Sequence, residues 1–345
     1  MSPVRQVEIS GTREPGDKSG PLLSVVVPCY NEQASLPELH KRLARACRAS
    51  ANDSFEIVLV DDGSKDGTWA GISLLATQSS NVVGVKLSRN HGHQLALSAG
   101  LSIARGSLIL IIDADLQDPP ELLPQMMKLI DEGADVVYGQ RTARHGESAL
   151  KRGTAAMFYR LLDHLTDVDI PVDTGDFRLM TRRALNVLIA MPEQHRFIRG
   201  MVSWIGFHQV PMPYERQERF AGETKYPFSK MMRLAIDAVT SFSTRPLRLA
   251  SFFGFGFAVL GLAGLMYTLG SWIRGYAVPG WTSITSIFLL MGSAQMFVLG
   301  IIGEYLGRLY MEAKARPLFI IESVVRDAEA GIDAQHSHHV DRARA

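Results

Sequence analysis

Hydrophobic and polar positions follow two patterns along the chain, with the change near Arg248. In the first part, short apolar runs rich in β-branched residues alternate with segments of helical spacing. "LLSVVVP" ends in Pro28, and "SLPELHKRLARAC" then places Leu36, Leu39, Leu43 and Cys47 on one helix face. "FEIVLVDDGS", "VVGVKLS", "SLILIIDAD" and "ADVVYGQR" predict four further strands. A helix is expected through "HQLALSAGLSIA", and Pro119 and Pro120 are expected to open another at its first turn. Apolar strands joined by helices predict an α/β, Rossmann-like domain whose mainly parallel sheet is covered on both faces.

Beyond Arg248 the pattern becomes continuous. Residues 249–273 hold no charge, Arg274 interrupts, and 275–303 again hold none. Roughly 20 apolar residues suffice to cross a bilayer, so a two-helix transmembrane hairpin is expected, with spans at 249–273 and 280–304. A pair of buried core helices is the alternative, but the length of both runs and the glycines Gly254, Gly256, Gly261 and Gly264 favour packing between membrane helices. Lys225, Lys230, Arg233, Arg245 and Arg248 precede the first span, and Arg308, Lys314 and Arg316 follow the second. Positive charge on those flanks predicts a cytoplasmic-membrane protein with its N-terminal α/β domain and both termini in the cytoplasm. Just before the hairpin, 226–248 carries apolar Met231, Leu234, Ala235, Ala238 and Phe242 on a helix. Such a helix suits either the membrane interface or packing against the domain.

Composition adds little to this division. The whole chain is 46% hydrophobic and 21% charged with a net charge of +1, an average that hides the hairpin, and no nucleic-acid partner is expected. Residues 1–21 are polar and read as a disordered tail without an apolar signal segment. Cys29 and Cys47 are expected as reduced packing residues. In the segment 305–345, "HSHH" reads as a frayed terminus or a metal tract.

The chemistry gathers where the strands end, which is where such sheets bind ligands. Pro28–Glu32, Asp61–Ser64, Asp113–Asp118 and Arg141 each follow a strand. No strand is followed by GxGxxG or by GxxxxGK[ST], so dehydrogenase and P-loop readings lose their support. Asp113 and Asp115 at a strand end can aim at one point, and a hard divalent cation would relieve their repulsion while stabilising a diphosphate leaving group. In "DDGSKDGT", Asp66 or Ser64 can cap a helix; two adjacent acids, Asp61 and Asp62, exceed what a cap needs. Asp118 to Glu121 read as the acidic start of the next helix. His91 and His93 admit an H-x-H metal reading or a polar lining of the site.

"VVVPCYNE", "VDDGSKDGT", "SRNHGHQLALSAGL" and "DADLQDPPE", in this order, resemble glycosyltransferase family 2 with the GT-A nucleotide-sugar fold. "TGDFRLM", "HRFIRGMVSWIGF", "GETKYPFSK" and the hairpin narrow the resemblance to polyprenyl-phosphate glycosyltransferases, including the dolichol-phosphate mannose synthases and bactoprenol glucosyltransferases. It extends from 22 to 316, with 22–225 as the catalytic domain. The resemblance implies that Pro28, Tyr30, Glu32, Asp61 and Asp62 line the nucleotide pocket. Asp113, Asp115 and Gln117 would hold Mg²⁺ or Mn²⁺ and the diphosphate. Asp176 and Arg178 would face sugar and acceptor, with Arg141, Arg199 and Lys225 as phosphate partners.

The implied reaction is metal-dependent, inverting hexosyl transfer from a nucleotide sugar, UDP-glucose favoured, to undecaprenyl phosphate. GDP-mannose or a modified UDP-sugar are the alternative donors, and a homo-oligomer is compatible. A lipid phosphate is already ionised, so no strong base is required to make the nucleophile. A processive polysaccharide synthase would carry Q-x-x-R-W, which "QHRFIRGMVSW" lacks. A non-catalytic membrane scaffold would not be expected to keep its acidic motifs complete.

Overall fold

A computed structural model describes residues 20–142, 174–215, 245–274 and 280–326. Lys225, most of the juxtamembrane segment, the N-terminal tail before residue 20 and the histidine-rich C-terminal tail lie outside the described residues.

The first half is a parallel α/β unit. Strand β1 (Leu23–Cys29) leads through α1 (Leu36–Ala51) to β2 (Phe55–Asp61), and α2 (Thr68–Gln78) leads to β3 (Val82–Leu87). Helix α3 (His93–Ile103) then leads to β4 (Leu108–Ile111). β1 pairs in parallel with both β2 and β4, and β2 with β3. Alternation along β1 sends Val25 and Val27 to the core under α1, α2 and α4 (Leu123–Asp131), while Val26 joins the core under α3. The expected apolar face of α1 is buried at Leu36, Leu39, Leu43 and Cys47.

The second half changes direction. After α4 come β5 (Val136–Arg141), β6 (Thr174–Thr181), α5 (Arg182–Ala190), α6 (Ile198–Ile205) and β7 (Gln209–Tyr214). β6 lies between β4 and β5 and runs antiparallel to both, whereas β7 runs parallel to β5. Two long helices follow, α7 (Arg245–Ile273) and α8 (Trp281–Lys314), and then β8 (Ile321–Val325), antiparallel to β3. One eight-stranded sheet thus runs β7-β5-β6-β4-β1-β2-β3-β8 among the described residues.

Three expectations shift. Strand β4 stops at Ile111, so Asp113 and Asp115 sit in the following loop rather than on the strand. Pro120 opens a 3-10 turn (Pro120–Leu122), and α4 begins only at Leu123. Helix α8 runs ten residues past the expected span end at 304, to Lys314, and within that extension Arg308 pairs with Glu304 one turn away at 3.0 Å. Within α8, Leu290–Lys314 is long and apolar enough to cross a membrane by length and composition, and none of it is buried inside the protein. Phe252, Phe255, Leu260 and Tyr267 of α7 are likewise exposed.

Helix α3 approaches the sheet closely because of Gly100. A Cβ there would stand 2.4 Å from Val26 Cγ1 and 2.8 Å from Val60 Cγ2. Both neighbours are fully buried, so nothing nearby can yield cheaply. Gly100→Val should lower the unfolding free energy by about 1–3 kcal/mol, read from urea denaturation of the detergent-solubilised protein. An unchanged midpoint would show that α3 does not depend on this approach.

Candidate active site

Pairing register decides which residues meet. Antiparallel β4 and β6 align Ile111 with Arg178. Two residues beyond Ile111 therefore lies opposite two residues before Arg178, which brings the Asp113 loop to Asp176. Helix α3 adds its first residue: His93 Nε2 is 3.0 Å from Asp176 Oδ2 and 3.5 Å from Asp113 Oδ1. Helix α6 adds Arg199, whose Nε donates to Asp176 Oδ1 at 2.8 Å. Ligand atoms of His93, Asp113 and Asp176 all lie within 4.8 Å of one another.

These charges set one another. Burial would raise the Asp176 carboxyl, but Arg199 and the His93 hydrogen bond hold it well below the usual carboxylate range. Burial opposes charge on His93, yet its bond to Asp176 and the nearby Asp113 lift it to about 9. Asp113 is pushed upward by burial and by Asp176, Asp118 and Asp115, against the pull of His93. Its Oδ1 is buried and accepts no hydrogen bond among the described residues. A carboxylate oxygen in that condition, among other oxygen donors, fits a hard divalent cation. Asp115 and Gln117 occupy the adjoining turn, where Asp115 Oδ1 accepts from the Gln117 N–H at 3.2 Å. Between them Leu116 takes a left-handed φ of 60° with its side chain buried, which turns the chain sharply at the site. Arg178 is buried, donating to the carbonyls of Asp176 (3.3 Å) and Gly175 (3.1 Å); burial lowers its pKa to about 10 despite Asp176.

The other half of the crevice is two laced turns. Asn31 Oδ1 accepts from the Lys65 N–H, and Ser64 Oγ accepts from the Asn31 N–H. The Glu32 N–H reaches Thr68 Oγ1 at 2.9 Å, and the Glu32 carboxylate accepts from Ser35 Oγ at 2.8 Å. The N-cap position of α2 is Gly67, which has no side chain to cap with; Asp66, one residue ahead of it, accepts from the Thr68 N–H at Oδ1, at 3.0 Å. Asp61 accepts from the Ser64 N–H, and Asp62 accepts from the N–H groups of His91 (2.7 Å) and Gly92 (3.0 Å). Asp62 thereby secures the loop that delivers His93, with Gly92 at φ +94° just before the helix. Pro28 is buried at the end of β1, and Tyr30 projects from its turn, 44% exposed.

The two histidines do not converge as an H-x-H pair. His93 joins the aspartates, while His91 Nε2 is buried without a hydrogen bond among the described residues. Asp118 does not serve the helix start: it is fully buried and accepts from the Tyr214 hydroxyl. Arg141 lies there too, its Nε donating to Tyr214 Oη at 3.3 Å. Gln94 was not anticipated. Its Nε2 donates to Asp176 Oδ2 at 3.1 Å while its Oε1 accepts from the Ile198 N–H at 2.9 Å, tying α6 to the centre. Neither Gln94 nor Tyr214 carries a spacing signal, because each meets its partners across loops of the fold.

The chain matches Glycosyl transferase family 2 over residues 24–189 and the GtrB C-terminal hairpin over 245–309. The uncharacterized glycosyltransferase YkcC of Bacillus subtilis is 46% identical over 300 residues, 87% of this chain and 93% of that protein. The prophage bactoprenol glucosyl transferase homolog of Escherichia coli is 39% identical over 88% of this chain and 99% of its own length. The bactoprenol glucosyl transferase of Shigella phage SfV is 37% identical over 87% and 98% respectively.

Asp113→Ala should weaken Mn²⁺ binding at least about tenfold, read from the free-Mn²⁺ electron paramagnetic resonance signal during titration of the purified protein. Parental affinity in the variant would remove Asp113 from the cation site.

Proposed function

The chain belongs to glycosyl transferase family 2, and from that premise we propose that it transfers glucose from UDP-glucose to undecaprenyl phosphate at the cytoplasmic face of a membrane. GDP-mannose and modified UDP-sugars are the alternative donors. The observation that carries the reading is the joining, in one chain, of a strand-end carboxylate and guanidinium cluster to the C-terminal hairpin. Likeness over 87–88% of this chain to proteins named bactoprenol glucosyl transferase supports glucose and a polyprenyl phosphate. Exposed apolar helices α7 and α8 support two spans, with the basic flanks oriented to the cytoplasm.

In this reading Pro28, Tyr30, Glu32, Asp61 and Asp62 border the nucleotide, Tyr30 offering an exposed ring and Asp62 acting through the His91 loop. Asp113, Asp115 and Gln117 would hold Mg²⁺ or Mn²⁺, with His93 beside them. The bound cation supplies charge neutralisation for the departing diphosphate. Arg178 and Arg199 place positive charge where two anions must approach, and Arg141 and Lys225 would serve as partners of the acceptor phosphate. Asp176, held ionised by Arg199 and His93, is a poor proton acceptor. That favours Asp176 as a positioning group, in keeping with an acceptor phosphate that needs no base. Displacement is in line, with inversion at the anomeric carbon.

Membranes bearing the protein, undecaprenyl phosphate and Mn²⁺ or Mg²⁺ should convert radiolabelled UDP-glucose into a lipid-extractable product. Label from another nucleotide sugar alone would reassign the donor, and none from any donor would refute the reaction. Chelation with EDTA should stop transfer and added Mn²⁺ or Mg²⁺ restore it. Asp115→Asn should lower turnover by about 10²-fold or more at saturating metal. If that variant keeps most of its activity, the assignment of Asp115 to the cation is wrong.

A further inference from the structure

A second polar cluster adjoins the first and is built from four separate segments. Asp118 comes from the loop after β4, Arg141 ends β5, Gly175 lies in β6 and Tyr214 ends β7. Parallel pairing sets Arg141 beside Tyr214, and both the N–H and the hydroxyl of Thr142 bond to the Tyr214 carbonyl, at 3.0 and 3.1 Å. The Tyr214 hydroxyl donates to Asp118 Oδ1 and accepts from Arg141 Nε at 3.3 Å. Arg141 Nη2 lies 3.8 Å from the same Asp118 oxygen. The phenol ring is fixed edge-on against Phe177, centroids 5.7 Å apart. Burial and then the Asp118 charge push the Tyr214 hydroxyl up from its ordinary value, so it remains a donor across the physiological range.

A direct bidentate Asp–Arg pair would occupy two N–H groups of the guanidinium fork. Here a phenol stands between them. Asp118 supplies compensating charge at 0% exposure, yet Arg141 commits only its Nε–H to hydrogen bonds among the described residues. Four N–H groups on the terminal nitrogens remain for an anion. Fixing a long side chain before the ligand arrives reduces the ordering cost of binding. Gly175 leaves the necessary space: a Cβ there would stand 2.8 Å from Arg141 Nη2.

We propose that Asp118 and Tyr214 are positioning residues that clamp the Arg141 guanidinium for the phosphate of the lipid acceptor. The clamp rests on the reading that Arg141 meets that phosphate. Kinetics of the full chain in nanodiscs, varying undecaprenyl phosphate and nucleotide sugar separately, test it. Tyr214→Phe should raise the acceptor KM about tenfold while the donor KM stays within about twofold and the melting temperature holds. The same substitution in an Arg141→Ala background should add no further loss. Gly175→Ala should reproduce the acceptor effect, because its methyl displaces the guanidinium while leaving the phenol in place. A Tyr214→Phe loss that falls equally on both substrates, or persists in full without Arg141, overturns the clamp. If Arg141→Ala raises the acceptor KM and Tyr214→Phe does not, the clamp alone fails. If Arg141→Ala leaves that KM unchanged, the acceptor reading of Arg141 fails and the clamp with it.

Discussion

The site depends on placing β6 antiparallel between β4 and β5. Ile111 opposite Arg178 carries Asp176 to Asp113, and two carboxylates at that spacing would repel in a buried crevice. His93 from α3 and Arg199 from α6 relieve the repulsion. Each then requires its own support. Asp62 holds the loop before His93, and Gln94 joins Asp176 to the first residue of α6. Breaking one buried member of such a network strands the charge of another, so the arrangement is constrained as a unit.

The same constraint extends toward the hairpin. Beyond its apolar part, α8 reaches Glu312, which accepts from the Gln194 N–H at 2.7 Å, and the Gln194 amide donates to the Arg316 carbonyl. Gln194 lies just ahead of α6, the helix that supplies Arg199. The chain then returns to the sheet as β8, where Glu322 pairs with Lys86 of β3 at 2.8 Å. Thus the hairpin is joined to the catalytic domain at two places, one of them close in sequence to an arginine of the centre.

Much of this was legible before the fold was known. β-Branched runs, helical spacing and charge-free stretches place β1 to β5, α1, α3 and the hairpin close to where they occur, whereas β6, β7 and β8 gave no such signal. Acidic residues at strand ends mark the crevice because a parallel sheet directs that end of every strand to one side. The roles within the motif were less legible. Asp118 looks like a helix-start acid in sequence and is instead buried against Tyr214, 96 residues away. His93 admits an H-x-H reading or a polar lining of the site in sequence, and only the fold turns it toward Asp176, 83 residues away.

Local sequence determined what local physics can specify: which segments of the first half become strands or helices, which helices are too apolar for water, and which acids end a strand. Hydrophobic period, β-branching and charge depletion act over a few residues and need no partner. Only the tertiary structure decided which charges meet. That choice depends on strand order and on a register between β4 and β6 set by packing on both sheet faces, neither of which is written in any one segment.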